Sequence, residues 1–188
     1  MNSREQRIDP YRIGLLGAES SGKTTLANAL VGELNYQGIP AVLVPEYLRT
    51  WCEQTSRLPT IEDQTEILHG QIDSEDSAAR EHPGAVLVCD PAAITTPLYS
   101  QLYFGQARNI DTELLSRYQR LIWCNIDIDW SPDPLRDGPE MRTRMHELLS
   151  EFIPSWEVIH GAPIPLVSGR LEERLRQAWQ PDVPIISP

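Results

Sequence analysis

The chain has 188 residues, with 27 acidic side chains against 16 basic ones and a formal net charge of −11. This length suits a single domain, and no segment approaches the roughly 20 apolar residues that a membrane-spanning helix needs. The negative charge repels a phosphate backbone and argues against nucleic-acid binding, so an anionic ligand would need a local cationic site. Fifteen of the basic residues are arginines, and the single lysine is Lys23.

The cysteines and the two ends of the chain indicate a cytoplasmic protein. Cys52, Cys89 and Cys124 lie far apart and form no CxxC pair, so neither a disulfide framework nor a zinc site is predicted. Residues 1–10 are polar and lack the apolar core of a signal peptide, and we expect them to be disordered. Residues 11–180 are predicted to form one domain, followed by an irregular, proline-rich tail over 181–188.

Apolar runs of strand length alternate with segments of helical period, which is the pattern of βαβ units around a parallel sheet. We predict strands over 11–16, 40–45, 84–90, 120–128 and 156–161. Helices are predicted over 25–37, 46–57, 60–80, 94–104, 111–118, 139–152 and 168–179. Thr60 and Asp63 suggest a capping box at the third helix, and Ser168 is the predicted cap of the last one. The fold class is therefore α/β, with a five-stranded parallel sheet flanked by helices.

The turn after the first strand carries the clearest chemical signal. Residues 17–24 read G-A-E-S-S-G-K-T and match the phosphate-loop pattern GxxxxGK[ST] between a predicted strand and a predicted helix. The glycines let the backbone wrap closely around phosphate oxygens, while Lys23 reaches the β- and γ-phosphates and the Thr24 hydroxyl can ligate Mg²⁺. The predicted nucleotide-binding residues are Gly17, Ala18, Glu19, Ser20, Ser21, Gly22, Lys23, Thr24 and Thr25.

A magnesium-bound triphosphate also needs a carboxylate at the end of a neighbouring strand. Asp90 ends the apolar run G-A-V-L-V-C-D, which is the Walker B arrangement. We therefore predict Thr24 and Asp90 as the magnesium ligands and ATP with Mg²⁺ as the cofactors.

Other motifs narrow the class of P-loop protein. A GTPase would need an Asn-Lys-x-Asp motif, which a chain whose only lysine is Lys23 cannot have. Five strands within this length leave little room for the helical subdomain of a ring-forming ATPase. A small kinase remains, in which an arginine-bearing lid closes over the transferred phosphoryl group. The segment over about 130–140 is the predicted lid, and Arg136, Arg142 and Arg144 are placed in this loop.

The order of these motifs resembles the kinase domain of NadR-like nicotinamide riboside kinases. The resemblance rests on GAESSGKTTL, PEYLR, VLVCD followed by ITT, a tyrosine-rich helix ending YFG, and DWSPDPLRDG, and it covers nearly the whole chain. It implies a P-loop kinase that uses ATP and Mg²⁺ to phosphorylate the ribose 5′-hydroxyl of nicotinamide riboside, giving nicotinamide mononucleotide. Glu46, Tyr47 and Arg49 are then expected at the acceptor, while Trp130 and Arg136 match the lid.

Two positions depart from the family pattern. The family commonly has Asp-Thr-Asp where this chain has Asp90-Pro91-Ala92, and in some members an aromatic residue stands where this chain has Pro45. Both positions are expected near the acceptor pocket, so they bear on the identity of the acceptor more than on the kinase reaction.

The roles at the acceptor stay open at this point. Glu46 and Asp90 are both candidates for the carboxylate that orients the acceptor hydroxyl, and Lys23 and Arg136 are candidates for neutralising the γ-phosphoryl oxygens. Gln71 is a further candidate for contact with the substrate, as is Asp73, and Tyr47, Tyr99 and Trp130 could stack on a flat heterocycle. The alternatives are a kinase for another nucleoside or vitamin, and a P-loop ATPase that acts as a nucleotide-dependent regulatory module. The oligomeric state is undetermined.

Overall fold

The structure is a computed structural model that describes residues 10–106, 112–131 and 138–179. Its strands are β1 (Arg12–Leu16), β2 (Ala41–Val44), β3 (Val86–Cys89), β4 (Arg120–Cys124) and β5 (Leu166–Val167). Its helices are α1 (Lys23–Tyr36), α2 (Tyr47–Thr55), α3 (Gln64–Glu81), α4 (Thr95–Phe104), α5 (Thr112–Ser116), α6 (Pro139–His160) and α7 (Leu171–Ala178).

The strands form one parallel sheet in the order β2-β3-β1-β4-β5. This arrangement confirms the predicted α/β class and the five-stranded parallel sheet. In such sheets the carboxyl ends of the strands lie along one edge, where loops converge and ligands bind. The loops after β1, β2, β3 and β4 are therefore brought together.

Helices cover both faces of the sheet, as the continuous apolar strands predict. On one face Ile13 and Leu15 of β1 belong to a core with Leu26 and Leu30 of α1. On the other face lies a second core, in which Leu16 is joined by residues of α4, α5 and α6. None of the helices within the described residues is both long and apolar enough to cross a membrane.

The predicted fifth strand over 156–161 is wrong. Helix α6 runs on from Pro139 to His160 and includes Pro154. Its buried residues recur three or four positions apart, which is the helical period: Arg142, Met145, Leu149, Ile153 and Trp156. Val158 and Ile159 suggested a strand, but both are exposed on the helix. The fifth strand is instead the two-residue β5, after Pro165.

Two predicted helix starts also change. The side chain of Asp63 accepts hydrogen bonds from the backbone N–H and the hydroxyl of Thr60, at 2.7 and 2.9 Å, but this contact closes a turn and α3 begins only at Gln64. The last helix is capped at Arg170 rather than at Ser168, because the Glu173 carboxylate accepts the Arg170 N–H at 2.7 Å. Ser168 instead accepts a hydrogen bond from the amide of Asn125.

A buried charged network links α3 to the segment before β4. Glu75 is fully buried, and its carboxylate accepts hydrogen bonds from the Tyr118 hydroxyl at 2.6 Å and from Arg117 at 3.2 Å. Asp76 pairs with Arg117 at 2.6 Å and with Arg12 at 2.9 Å. The network satisfies charges that would otherwise be costly to bury.

Candidate active site

The phosphate loop connects β1 to α1 in a tight backbone path. Gly17 has φ +150°, and a Cβ placed there would lie 2.7 Å from the Ser21 hydroxyl oxygen and 3.2 Å from Cys124. Gly22 has φ +82°, which favours glycine. Because α1 begins at Lys23, the positive end of that helix faces the loop, as in known phosphate sites. This cradle fits an anion, and a side chain at Gly17 would disrupt it.

The side chain of Lys23 folds back over the loop. Its ammonium donates hydrogen bonds to the carbonyls of Gly17 at 2.9 Å and Ala18 at 2.7 Å. An ammonium has three N–H donors, so one donor remains for a ligand. At the tip of the loop the Ser20 hydroxyl donates to the carbonyl of Ser131 at 2.9 Å. The phosphate loop is thereby tied to the segment that follows β4.

Most of the predicted site residues line one cavity of about 530 Å³. Its walls come from the phosphate loop, from α2 and α3, from the turn after β3, from α4 and from the segment after β4. The predicted residues that line it are Glu19, Ser20, Ser21, Gly22, Lys23, Thr24, Thr25, Glu46, Arg49, Gln71, Asp90 and Tyr99. The volume lies in the range of small-molecule sites.

Asp90 follows β3 directly, and its backbone N–H is fixed by the carbonyl of Val44 at 2.9 Å. The residue is 5% exposed and lines the same cavity as Thr24. A hydroxyl and a carboxylate are the hard oxygen donors that Mg²⁺ prefers. Thr24 and Asp90 are therefore the residues that would hold a magnesium ion in this cavity. No group of three or more His, Cys, Asp or Glu within the described ranges could hold a metal by itself.

The wall opposite the phosphate loop is built at the start of α2. The guanidinium of Arg49 pairs with the Glu46 carboxylate at 3.2 Å, and both side chains line the cavity. Gln71 of α3 is 2% exposed, and its side-chain oxygen accepts the backbone N–H of Tyr47 at 2.8 Å. Gln71 therefore holds the turn that carries Glu46, besides lining the cavity.

Helix α4 supplies an aromatic wall that the motif analysis used only in part. The rings of Tyr99 and Tyr103 stack with centroids 6.0 Å apart, and both rings, with Phe104, line the cavity. Burial raises the pKa of the Tyr99 phenol well above its usual value, and the nearby carboxylates of Glu19 and Glu46 raise it further. Tyr99 is therefore neutral at physiological pH, and its hydroxyl is hydrogen-bonded to the Glu19 carboxylate.

Five of the predicted or candidate site residues that the structure describes do not line this cavity. Gly17 and Ala18 lie behind it and offer their carbonyls to Lys23. The ring of Tyr47 packs over Gly70, so Tyr47 is not placed to stack on a ligand in the cavity. Trp130 is half-buried outside the cavity lining. Asp73, a weaker candidate, is exposed on α3 and also lies outside the lining.

The structure corrects the expected position of Ala92. Ala92 is fully buried in the core of one sheet face, and its side chain lies against Gly14. An acidic residue at position 92 would therefore enter the core instead of facing the cavity. Pro45 is exposed and also lies outside the cavity lining. Neither departure from the family pattern changes the cavity wall directly.

The predicted lid is only partly described. Arg136 lies outside the described residues. Arg142 and Arg144 do not lie in a loop, since both belong to α6. Arg142 is buried and donates to the carbonyls of Ile126 at 3.1 Å and Ile128 at 2.6 Å, so it fixes the segment after β4. Their prediction as loop residues is wrong, because the helix starts at Pro139, immediately after the Asp-Gly turn signal.

Sequence reasoning missed two contributors to the site. Cys52 lines the cavity from the second turn of α2, one turn after Leu48. Arg174 of α7 reaches the phosphate loop from the far end of the chain and donates to the carbonyl of Ser21 at 2.7 Å. Its residue type and place in a helix give no signal for this contact, because the contact depends on how α7 packs beside α1.

The parallel sheet, the glycine cradle and the presence of Thr24 and Asp90 in the lining of one cavity define a P-loop nucleotide-binding protein. A family model described as AAA domain matches residues 12–174, which is most of the chain. The chain belongs to this AAA domain family. No curated protein matches it significantly.

Three solved structures are similar to the chain. NadR protein, in a crystal structure of its complex with NR, matches with a TM-score of 0.66 and 20% identity, over 92% of this chain and 49% of that one. The chain therefore spans about half the length of that NadR chain, and the likeness confirms the predicted NadR-like resemblance at the level of the fold. Shikimate kinase from Acinetobacter baumannii, in complex with shikimate, matches at a TM-score of 0.47 and 16% identity over 90% of this chain and 89% of that one. Shikimate kinase from Bacteroides thetaiotaomicron matches with a TM-score of 0.46 and 18% identity, over 88% of this chain and 94% of that one.

Proposed function

We propose that this protein is an ATP- and Mg²⁺-dependent kinase that phosphorylates the ribose 5′-hydroxyl of a nucleoside, with nicotinamide riboside as the leading acceptor. The observation that carries the proposal is that one cavity holds both the phosphate loop with Asp90 and a second wall with Glu46, Arg49 and Tyr99. A kinase needs such a cavity because the phosphoryl donor and the acceptor must meet with little water between them.

The residues of the phosphate loop have separate tasks in this reaction. The backbone N–H groups of the loop bind phosphate oxygens, and Lys23 neutralises the transferred group. Thr24 and Asp90 would hold Mg²⁺, which would supply positive charge against the phosphates. Arg136 is proposed to add positive charge from the lid segment.

The acceptor hydroxyl needs a carboxylate to orient it, and two of the carboxylates that line the cavity are candidates for this role. Glu46 stands at the start of α2 and is paired with Arg49, while Asp90 stands beside the phosphate loop. Both stay candidates, and Asp90 would combine this role with magnesium binding. Gln71 fixes the turn of Glu46, so it supports the first candidate indirectly.

The charged side chains that line the cavity favour a cationic acceptor. Among the described residues four carboxylates line the cavity, namely Glu19, Glu46, Asp90 and Asp129, against the two cations Lys23 and Arg49. Nicotinamide riboside carries a positively charged pyridinium ring, which carboxylates and the faces of tyrosine rings attract. The complex of NadR protein with NR supports the same choice by structural likeness.

A regulatory ATPase module would be favoured if the cavity lacked an acidic residue because position 92 is alanine. Ala92 is buried in the core, so its identity says little about catalysis in the cavity. The kinase proposal is therefore favoured over this alternative.

The test is an assay of ADP formation with ATP, Mg²⁺ and a panel of ribosides that includes nicotinamide riboside, nicotinic acid riboside, uridine and adenosine. We expect acceptor-dependent turnover that is fastest with nicotinamide riboside. Lys23→Ala should abolish it, whereas Arg80→Ala, on an exposed turn of α3, should leave it unchanged. ADP formation that is the same with and without every riboside would overturn the kinase proposal and support the regulatory module.

A further inference from the structure

Arg174 is a buried cation that contacts the phosphate loop from the opposite end of the chain. Arg174 is 3% exposed. Each described hydrogen bond of its guanidinium goes to a different backbone or carboxylate oxygen. It donates to the carbonyls of Gly169 at 2.8 Å, Ser21 at 2.7 Å and Asn125 at 3.2 Å, and to the carboxylate of Asp127. Three separate loops therefore meet on one side chain.

The bond to Ser21 fixes one peptide unit of the phosphate loop. In a trans peptide the C=O and the following N–H point in opposite directions. Because Arg174 holds the carbonyl of Ser21, the N–H of Gly22 points away from the guanidinium. A Cβ at Gly22 would lie 3.6 Å from the Arg174 Nη1 atom, which shows how closely the guanidinium abuts this peptide. Backbone N–H groups are what a phosphate loop offers to phosphate oxygens.

Asp127 makes the position of Arg174 rigid. Its carboxylate pairs with the guanidinium and also accepts the N–H of Gly169 at 2.6 Å. The segment after β4 and the turn before α7 are thereby joined to the same arginine. A buried guanidinium whose charge is paired and which makes four hydrogen bonds has little freedom to move.

We propose that Arg174 is a positioning residue for the phosphate loop. Held by Asp127, it fixes the Ser21–Gly22 peptide with its N–H directed at the phosphates, and so sets nucleotide affinity without touching the nucleotide. Lys23 does the same for the carbonyls of Gly17 and Ala18, but from the ligand side. The inference rests on the proposed function only in taking a nucleotide as the ligand of the loop.

Titration calorimetry of the full chain with ATP and with ADP tests this, since it needs no turnover. Losing a charge-assisted hydrogen bond at this site should weaken nucleotide binding by about 10-fold to 100-fold in Arg174→Met. Arg174→Lys should lose less nucleotide affinity than Arg174→Met does, because an ammonium can still donate to one of these carbonyls. In the kinase assay the KM for ATP should rise while the KM for the riboside stays the same.

Arg12→Met is the matched control, because Arg12 is also buried and paired with an aspartate, Asp76, but stands at the start of β1 away from the loop. It should lower thermal stability without changing nucleotide affinity more than about twofold. If Arg174→Met binds ATP as tightly as Arg12→Met does, the proposal is overturned.

Should Arg174→Met fail to fold, Asp127→Asn carries the test, since it keeps the arginine and removes only its anchor. We expect Asp127→Asn to bind ATP several-fold more weakly, and unchanged affinity in both Asp127→Asn and Arg174→Lys would overturn the proposal. A protein that binds ATP in this arginine-dependent way but phosphorylates no riboside would leave this inference standing and remove the kinase proposal.

Discussion

The backbone N–H of Ala93 donates a hydrogen bond of 2.6 Å to the hydroxyl of Tyr118. That hydroxyl in turn donates to the carboxylate of Glu75 at 2.6 Å. The turn that follows Asp90 is thereby attached to α3 through a single phenol. The magnesium-binding carboxylate proposed for this protein thus depends on a polar link inside the core.

Tyr118→Phe removes this link while keeping the ring. It leaves the Ala93 N–H and one oxygen of Glu75 without their partner in a buried site, so we expect a loss of about 1–3 kcal/mol in the free energy of unfolding. Urea denaturation measures it. The control is Tyr36→Phe at a residue that is 88% exposed, which should cost less than about 0.5 kcal/mol. Equal stabilities of the two variants would contradict the expected role of the phenol.

The pH dependence of stability should report on Glu75. Burial raises the pKa of this carboxyl above its ordinary value, with the hydrogen bond from Tyr118 and the charge of Arg117 acting in the opposite direction. The folded protein therefore binds this proton more readily than the unfolded chain does. Its contribution to stability is present at low pH and is lost as the pH rises through the folded pKa.

Glu75→Gln removes this titration. The unfolding free energy of the variant, minus that of the wild type, should increase as the pH is raised from about 4 to about 7, and urea denaturation across this range measures it. A difference that falls with rising pH would show that the arginines lower the pKa more than burial raises it.

Ala92→Asp should destabilise the protein instead of improving an acceptor site. Ala92 is fully buried, and its side chain lies against Gly14 and close to the ring of Tyr118, so a carboxylate there would be buried without a partner. We expect a loss of several kcal/mol and a clearly lower Tm by circular dichroism. Ala92→Ser, similar in size and uncharged, should cost much less. A well-folded Ala92→Asp variant with faster riboside phosphorylation would contradict the assignment of position 92 to the core.

Cys52 offers a direct probe of the acceptor wall. It lines the cavity, whereas Cys89 and Cys124 are the last residues of β3 and β4 and are fully buried. Burial, and next the charge of Glu46, raise the pKa of the Cys52 thiol, so alkylation should be slow at neutral pH and faster at higher pH. Nicotinamide riboside should protect Cys52 more than ADP does, as measured by mass spectrometry of the alkylated peptide. The Cys52→Ser variant, which should remain unlabelled in the native state, identifies the reacting thiol.

Motifs with fixed residue types at fixed spacings can be located from the sequence. The phosphate loop needs particular residue types between a strand and a helix, and residues 17–24 do lie between β1 and α1. Asp90 likewise follows the end of β3, as its apolar run predicts. Glu46 and Arg49 follow the carboxyl end of β2, and the carboxyl ends of parallel strands share one edge, so their place at the cavity follows from the fold. Gln71 lies on α3 and reaches the cavity through the packing of that helix.

The remaining features depend on packing that a linear pattern does not contain. Trp156, Val158 and Ile159 form a short apolar run that suits a strand, and only the spacing of the buried residues along the whole of α6 shows the helix. The contact of Arg174 with Ser21 joins residues more than 150 positions apart and has no local signature. The burial of Ala92 likewise follows from the close approach of β1, which Gly14 permits.

The lone lysine also makes the protein unusually simple to modify. Lys23 is the single lysine of the chain, and its ammonium already donates to two carbonyls of its own loop. Apart from the amino terminus, a reagent or an acetyltransferase that acts on amines therefore has one position to act on, and that position lies in the phosphate cradle. Every acylation event on a lysine of this protein would be an event at its nucleotide site, so the extent of acylation would equal the fraction of molecules with a blocked site.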